Sequence, residues 1–393
     1  MPVLVEEIFE TYRKKYSLTL LAGESGLKNI ARTVYIIEDI ETSSFLKGGE
    51  LAITTGLSTL HEPDWIRRLL PVLIEKNISG LIVNVGKYIF PEDITPEQKR
   101  LCDAHGLPLF IMPWDIYLSD ITQEFWNQIL TARQKNAEIV NAFKNVLFAD
   151  PPSPDALSTL HLHGYADDDS YQTALMRVPE LLTGDHPVMQ KIEYTISFHF
   201  PEEVNRILYF STDDLFLFVF HNVDGSAVRQ ILEAAYDCLP PSFAAGVRAG
   251  VSHKSPKDLK TGFKQAKAAL QISEVRQRAF TWFSDLRSWQ IYLSVSDQGL
   301  LRHYCFSKLE PLLQDQKMGP VYIDTLEQYL THNGHLNRIA EAMNCHRNTV
   351  LYRTGKIREL LAVDLDDGGE RFRLNMAVSM YRYLEIFPDY KAE

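Results

Sequence analysis

The 393-residue chain predicts a multidomain α/β and α protein: a parallel α/β domain first, an α+β domain in the middle and an all-α domain last. Three observations predict it. Residues 34–112 alternate short apolar runs with helical spacings in β-α-β-α-β order. Residues 170–290 combine a hairpin-like pair of strands with amphipathic helices. Residues 322–384 read as consecutive short helices around a basic segment. The expected boundaries are 1–130, 165–292 and 297–388, with a linker helix over 118–150.

In the first domain, Val34 to Ile37, Gly49 to Gly56, Gly80 to Gly86 and Leu107 to Met112 are the expected strands. Pro63 to Lys76 has helical spacing in Ile66, Leu69, Leu70, Leu73 and Ile74. Thr95 to Ala104 is a second helix, with Thr95 as its cap and Pro96 in the first turn. This order predicts a parallel sheet with helices on both faces. Ligands of such sheets sit beyond the carboxyl ends of the strands. Those ends carry Thr54, Thr55 and Gly56, then Asn84 and Lys87, then Trp114 and Asp115. The group could hold a small polar metabolite. The same residues also suit strand termination and helix capping, and both readings stand at this point.

Residues 118–146 form one expected long helix. Leu118, Phe125, Ala132, Ile139 and Val146 recur every seven residues, with Thr122, Ile129, Asn136 and Phe143 filling the alternate seam. The repeat suits a two-stranded coiled coil with Asn136 setting register. It equally suits a helix whose first half packs on its own domain and whose second half caps the next. Pro151-Pro152-Ser153-Pro154 reads as a linker.

In the middle domain, Thr173 to Val178 is a strand and Met189 to Ser197 a helix. Arg206 to Phe210 and Leu215 to Phe220 flank the turn Ser211-Thr212-Asp213-Asp214 as a hairpin. Ala227 to Leu239 and Leu259 to Val275 are helices, and Ala245 to Val251 is a strand. His161 and His163 fall in an expected polar loop and lack further ligands at zinc spacing. No metal site and no cofactor is expected, and no phosphate-binding loop or nucleophile elbow occurs.

The C-terminal segment opens with an expected helix over Gln298 to Leu313 and another through Ile323 to Leu330. Leu336, Ile339, Ala340 and Met343 then form one apolar stripe, and Val350, Thr354, Ile357 and Leu361 form the next. Two short helices joined by so tight a turn make a helix-turn-helix. Between His346 and Arg358 lie Arg347, Arg353 and Lys356, with no acid. The second helix starts His346, Arg347, Asn348, Thr349. Arg suits guanine edges, Asn adenine, and Thr a phosphate or thymine methyl. Asp367 to Glu370 has capping spacing for a last helix, whose Leu374, Ala377, Val378 and Tyr381 would buttress the one before it.

His346-Arg347-Asn348-Thr349, Tyr352-Arg353 and Lys356-Ile357 resemble the C-terminal helix-turn-helix of the PucR family of bacterial transcription regulators. Asn333-Gly334, Asp364-Leu365-Asp366-Asp367 and Arg371 fit the same pattern. Thr354 stands where that family usually has a large aliphatic residue, Leu351 where a polar one is common, and Gly355 interrupts the helix. Ile40-Glu41, Phe45 to Leu51 and Thr54-Thr55-Gly56 resemble the PucR N-terminal domain. The middle domain looks like the degenerate GGDEF-like domain of these regulators. Diguanylate cyclases have two glycines in the hairpin turn, where a nucleotide approaches the backbone. Ser211 and Thr212 stand there in this chain, so catalysis is not expected.

The resemblance implies a ligand-responsive regulator that binds double-stranded DNA as a homodimer or higher homo-oligomer. It also implies activation of catabolic genes for purines, amino acids or sugar acids. The small-molecule effector is of unknown identity. Two alternatives are a signalling enzyme that converts a nucleotide, and a metabolite-binding scaffold with a vestigial helix-turn-helix. The net charge of −11 argues against a nonspecific coat on nucleic acid, while concentrated basic charge permits specific, salt-dependent binding. No apolar run reaches the roughly 18 residues of a membrane helix. The N-terminus lacks a secretory layout, and the four cysteines are scattered, so a cytoplasmic setting is expected.

Overall fold

The computed structural model describes residues 3–166, 168–178, 187–212, 215–254, 259–295 and 297–387. The chain divides into two compact units, residues 1–270 with 278–280, and residues 271–277 with 281–393.

The first unit opens with β1 (Val3–Leu4), α1 (Val5–Tyr12), β2 (Thr19–Ala22), β3 (Ile30–Ala31), β4 (Thr33–Ile36) and β5 (Glu50–Thr54). It continues through α2 (Trp65–Glu75), β6 (Gly80–Val85), α3 (Pro96–His105), β7 (Leu109–Pro113) and α4 (Leu118–Phe148). The sheet order is β2-β7-β6-β5-β4. Strands β4 to β7 are parallel, with Ile53 opposite Ile82 and Ile82 opposite Phe110. The expected parallel sheet therefore gains an antiparallel edge strand, β2, paired to β7. Every residue of β5 and β6 is buried, as befits a parallel sheet covered on both faces. Alternation sorts the side chains. Ala52, Leu81 and Val83 meet Leu69, Leu70 and Leu73 of α2 and Cys102 of α3. Leu51, Ile53 and Ile82 meet Ile8 of α1 and Ile121, Phe125 and Ile129 of α4. Thr95 caps α3 as expected, its hydroxyl accepting from Gln98 N at 3.3 Å while the Gln98 amide oxygen accepts from Thr95 N at 2.7 Å.

The second half of α4 leaves this sheet. Ile139, Ala142, Phe143 and Leu147 pack into another core with Leu160, Tyr165, Leu175, Leu217 and Val219. Of the two readings of the repeat, the structure agrees with the second and not with the coiled coil, since Phe125 and Ile129 are buried in the first core and Ile139 and Phe143 in the next, all within their own chain. The seven-residue repeat has a simpler cause. Phe125 and Ile139, like Ile129 and Phe143, are 14 residues apart, close to four helical turns, so one side of α4 serves two successive cores.

Next come α5 (Pro154–Leu162), β8 (Tyr171–Arg177), α6 (Pro187–His199), β9 (Ile207–Thr212), β10 (Leu215–His221) and α7 (Gly225–Asp237). They are followed by α8 (Pro241–Ala244), β11 (Arg248–Val251), α9 (Leu259–Val275) and β12 (Phe280–Trp282). The sheet order is β12-β11-β8-β10-β9, with β10 antiparallel to both β8 and β9. The expected hairpin is thus present, and its turn residues Asp213 and Asp214 lie outside the described residues. The expected linker is short, residues 149–153 between α4 and α5, and α5 begins at Pro154, so the expected polar loop is a helix: His161 lies in it and His163 closes it, half-buried and 3.9 Å from Glu138. The strand expected from Ala245 begins only at Arg248, because Ala245 to Val247 form the turn that leaves α8, with Gly246 N donating to Phe243 O and Val247 N to Ala244 O. Gly250 lets α9 lie directly on β11, for a Cβ there would fall 2.1 Å from the Ala266 carbonyl oxygen.

The second unit holds α10 (Trp289–Leu293), α11 (Gln298–Leu313), α12 (Gly319–Thr331), α13 (Leu336–Ala342), α14 (Arg347–Leu361) and α15 (Gly368–Ile386). Leu309 and Leu312 of α11, Ile323 and Leu326 of α12, Ile339 of α13, Val350 and Ile357 of α14 and Leu374, Ala377 and Val378 of α15 share one core. Arg382 pins α15 to α12 through Asp324 and through Glu327 at 2.8 Å, and also pairs with Glu385 at 3.0 Å.

Candidate nucleic-acid interface

The turn between α13 and α14 is built from local bonds. Met343 N donates to Ile339 O at 3.0 Å and Cys345 N to Ala340 O at 2.9 Å. Asn344 takes the left-handed conformation at φ 48°, which Asn tolerates better than most residues. His346 then caps α14, its Nδ1 accepting from Asn348 N at 3.2 Å. A neutral imidazole accepting at Nδ1 carries its proton on Nε2, which remains a donor.

Inward, Val350, Thr354 and Ile357 are buried, as the stripe predicts. The polar lapse at Thr354 is resolved locally, because its hydroxyl donates to Val350 O at 2.9 Å or Leu351 O at 3.0 Å. Outward, His346, Arg347 and Asn348 are exposed, as are Leu351 at 55% and Tyr352 at 62%. Thr349, Arg353 and Lys356 are half-buried. The seven residues expected to meet DNA therefore start or flank one helix, with its apolar stripe turned to the core.

Their charges are less uniform than the sequence suggests. Lys356 pairs with Glu359 at 2.7 Å. Arg358 donates to Asp366 at 2.9 Å and to the Tyr329 hydroxyl at 3.2 Å, while that hydroxyl donates to Asp366 at 3.1 Å. Arg358 is thus tied to the scaffold, and sequence reasoning missed both acids. Among the described residues, Arg347 and Arg353 have no carboxylate partner in an ion pair. Asp367 caps α15 by accepting from Glu370 N at 2.8 Å, and Arg371 bonds Asn333 at 2.7 Å, so the two turns beside α13 and α14 brace each other.

The group at the strand ends of the first unit is mostly self-engaged. Glu38, which the sequence reading passed over, organises it. Its carboxylate accepts from Thr55 N at 2.6 Å and Leu57 N at 3.1 Å, with Thr54 Oγ1 at 3.4 Å, while its carbonyl accepts from Ser58 Oγ. Gly56 packs on Ile89 and donates to Thr54 Oγ1 at 3.1 Å. Asn84 is buried and donates to Pro113 O at 2.7 Å. Lys87 lies 4.7 Å from the Trp114 ring and 4.9 Å from Tyr88, and Asp115 is exposed beside them. The structure brings Lys87 and Trp114 together and spends Thr54, Thr55, Gly56 and Asn84 on holding the loops.

All four cysteines are free. Burial pushes the Cys102 thiol up to about 12 and the Cys305 thiol up to about 11, so neither is a ready thiolate. Among the described residues no group of three or more His, Cys, Asp or Glu could hold a metal ion. No helix among them is long and apolar enough to cross a membrane.

Three family models match in succession. They are the Purine catabolism regulatory protein-like family, PucR, over residues 9–129, a GGDEF-like domain over 149–272, and the PucR C-terminal helix-turn-helix domain over 322–380. The chain belongs to the PucR family. It is 28% identical to the Purine catabolism regulatory protein of Bacillus subtilis (strain 168) over 162 residues, 40% of this chain and 30% of that protein. It is 27% identical to the DNA-binding transcriptional activator AdeR of the same organism over 108 residues, 26% of this chain and 25% of that one. The matches therefore span less than a third of either curated relative. A crystal structure of a Regulator of Polyketide Synthase Expression from Bifidobacterium adolescentis aligns over 65% of this chain and 93% of that one, at 14% identity and a TM-score of 0.30. The PucR helix-turn-helix match encloses α13 and α14, the two helices whose geometry is described above.

Proposed function

We propose that this chain is a cytoplasmic, ligand-responsive transcription regulator that reads double-stranded DNA with α14. One observation carries the reading: His346, Arg347, Asn348, Leu351 and Tyr352 are all exposed at or near the start of a capped helix whose opposite side is fixed in the domain core. In helix-turn-helix proteins that part of the second helix enters the major groove. Arg347 and Asn348 supply guanine and adenine readers, and Leu351 supplies an apolar contact for a thymine methyl. Thr349, Arg353 and Lys356 serve the phosphates at the flanks.

A homodimer or higher homo-oligomer would offer two such helices to paired half-sites. Activation of catabolic genes, those of purine, amino-acid or sugar-acid metabolism, is supported by the names of the relatives, one a purine catabolism regulator and one a transcriptional activator. At the strand ends of the sensor sheet, Lys87, Trp114 and Asp115 are the groups most open to a small effector, framed by the loops that Thr54, Thr55, Gly56 and Asn84 hold. The reading assigns no catalysis to the GGDEF-like domain.

Selection of bound DNA from a random pool by the full-length chain tests it. An enriched motif in two related copies is expected, relaxed at one or more positions by Arg347→Ala or Asn348→Ala, each at a cost of about 1–3 kcal/mol on the selected site. A pool that shows no enrichment, or a motif unchanged in both variants, would sink the assignment.

A further inference from the structure

The amino ends of the parallel strands, opposite the ends that carry Lys87 and Trp114, border a cavity of about 320 Å³. The segments that lead into β4, β5 and β6 form one wall, and α6 forms the facing one. The size lies at the lower end of the range for small-molecule sites.

Arg32 and Glu193 pair across this cavity. Glu193 is only 7% exposed, and the Arg32 side chain 21%. The backbone sets the arginine in place. Gly49 has φ +80°, and a Cβ there would fall 2.7 Å from Arg32 Cδ, so glycine lets the arginine stem lie flat on the turn. Glu50 holds that turn from within, accepting from Lys47 N at 2.8 Å and Gly48 N at 2.9 Å. Lys47 and Lys191 are exposed at the mouth and Lys76 is half-buried. With Arg32, four cations face two carboxylates, Glu75 and Glu193. Arg32 and Glu193 also border a second cavity of about 380 Å³ beside α4 and β9, so the pair stands as a partition between two spaces.

We propose that the first cavity binds a small metabolite bearing a carboxylate or phosphate, which takes Arg32 from Glu193. The excess of cations at the mouth draws anions in. At the guanidinium, one oxyanion replaces another, so the arginine's charge stays partnered. Glu193 is then left buried without its partner and must turn toward solvent, and α6, which carries it, must adjust. The ligand therefore favours the arrangement of α6 in which Glu193 is released, a differential affinity of the kind needed to shift a conformational equilibrium. That this binding serves regulation rests on the function proposed above; the site itself stands on Arg32, Glu193 and the lysines.

The test is calorimetric titration of the full chain, without DNA, with succinate, citrate and inorganic phosphate at constant ionic strength. Saturable binding of at least one is expected, and the preferred anion distinguishes a carboxylate source from a phosphate source. Arg32→Gln should abolish it. The Lys47→Gln/Lys191→Gln double variant, changed only at exposed positions, should weaken it about tenfold. Glu193→Gln, which removes the competitor and keeps the shape, should tighten it severalfold. A merely structural ion pair would not give opposite signs for its two partners. Binding of none of the three anions overturns the proposal. So does binding that survives in the Arg32 and double-lysine variants, or that weakens in Glu193→Gln. DNA affinity does not enter this readout, so the site and the DNA-binding reading stand or fall separately.

Discussion

Ile139 decides whether α4 packs at home or against a partner. It is 0% exposed, in a core with Phe143, Leu160 and Leu217. Ile139→Ala removes three carbon atoms, which at about 0.8 kcal/mol each amounts to about 2.4 kcal/mol of lost transfer energy. The cavity left behind adds to this, for an expected destabilisation of about 3–4 kcal/mol. Leu130, on the outer side of the same helix and 43% exposed, is the control. Leu130→Ala should stay within about 0.5 kcal/mol. Urea unfolding followed by far-UV circular dichroism, with sedimentation velocity on the same samples, measures both quantities. The expected result is a lower urea midpoint for Ile139→Ala, no change for Leu130→Ala, and one sedimentation coefficient for all three proteins. An unchanged midpoint together with a smaller sedimenting species in Ile139→Ala would place Ile139 in a seam between chains and refute the intrachain assignment.

Other outcomes are as specific. A Cβ on Gly355 meets nothing within 4 Å, so Gly355→Ala should stabilise α14 by about 0.8–1 kcal/mol, seen as slower amide exchange over 350–357; faster exchange there would contradict it. Glu359→Gln frees Lys356 and should steepen the dependence of log K on log salt for DNA by about 0.9 per bound helix, whereas an unchanged slope would mean that Lys356 does not reach a phosphate. Hydrogen bonding from Asn222, joined by His221, holds the Asp169 carboxyl down at about 2 from its ordinary 3.8. Its stabilisation is therefore complete above about pH 4 and lost as the pH falls towards 2. Asp169→Asn should lower the urea midpoint at pH 6 and converge with the wild type at pH 2; an equal deficit at both would show that the charge is not involved.

Local signals made most of the fold legible. The alternation that sorts Leu51, Ile53 and Ile82 from Ala52, Leu81 and Val83 is a property of neighbouring residues, and so is the Thr95 cap. The failures share a cause. In α5, Ser153 accepts from Ala156 N, Pro154 follows at the first helical position and Asp155 sits in the first turn, a complete start signal. It was masked because three nearby prolines read as a linker. Thr19–Ala22 is an edge strand with one buried residue and no alternation to reveal it. For α4, periodicity reported correctly which side is buried and was silent on what covers it. A spacing of 14 residues keeps that side constant whether the neighbour is a second helix or two sheets of the same chain.

The geometry of the candidate helix was legible in the same measure. Positions within one helix follow from its period, so the exposure of Arg347, Asn348 and Tyr352 and the burial of Val350 and Ile357 were readable. What each charge is worth depends on partners elsewhere in the chain. Glu359 stands one residue beyond the basic window, and Asp366 and Tyr329 reach Arg358 from eight residues downstream and 29 upstream. Glu38 is likewise 16–20 residues from the groups it gathers. Among the described residues, four basic side chains thus become two without a carboxylate partner in an ion pair, Arg347 at the start of α14 and Arg353 six residues on. An ion pair at the helix surface contributes little to stability, so releasing Lys356 from Glu359 costs little, whereas Arg358 is held by two partners and stays with the fold. On the proposed reading, recognition rests on few charges close to Arg347 and Asn348, in a chain whose net charge of −11 weakens nonspecific attraction. That distribution favours selectivity for a site over affinity for DNA in general.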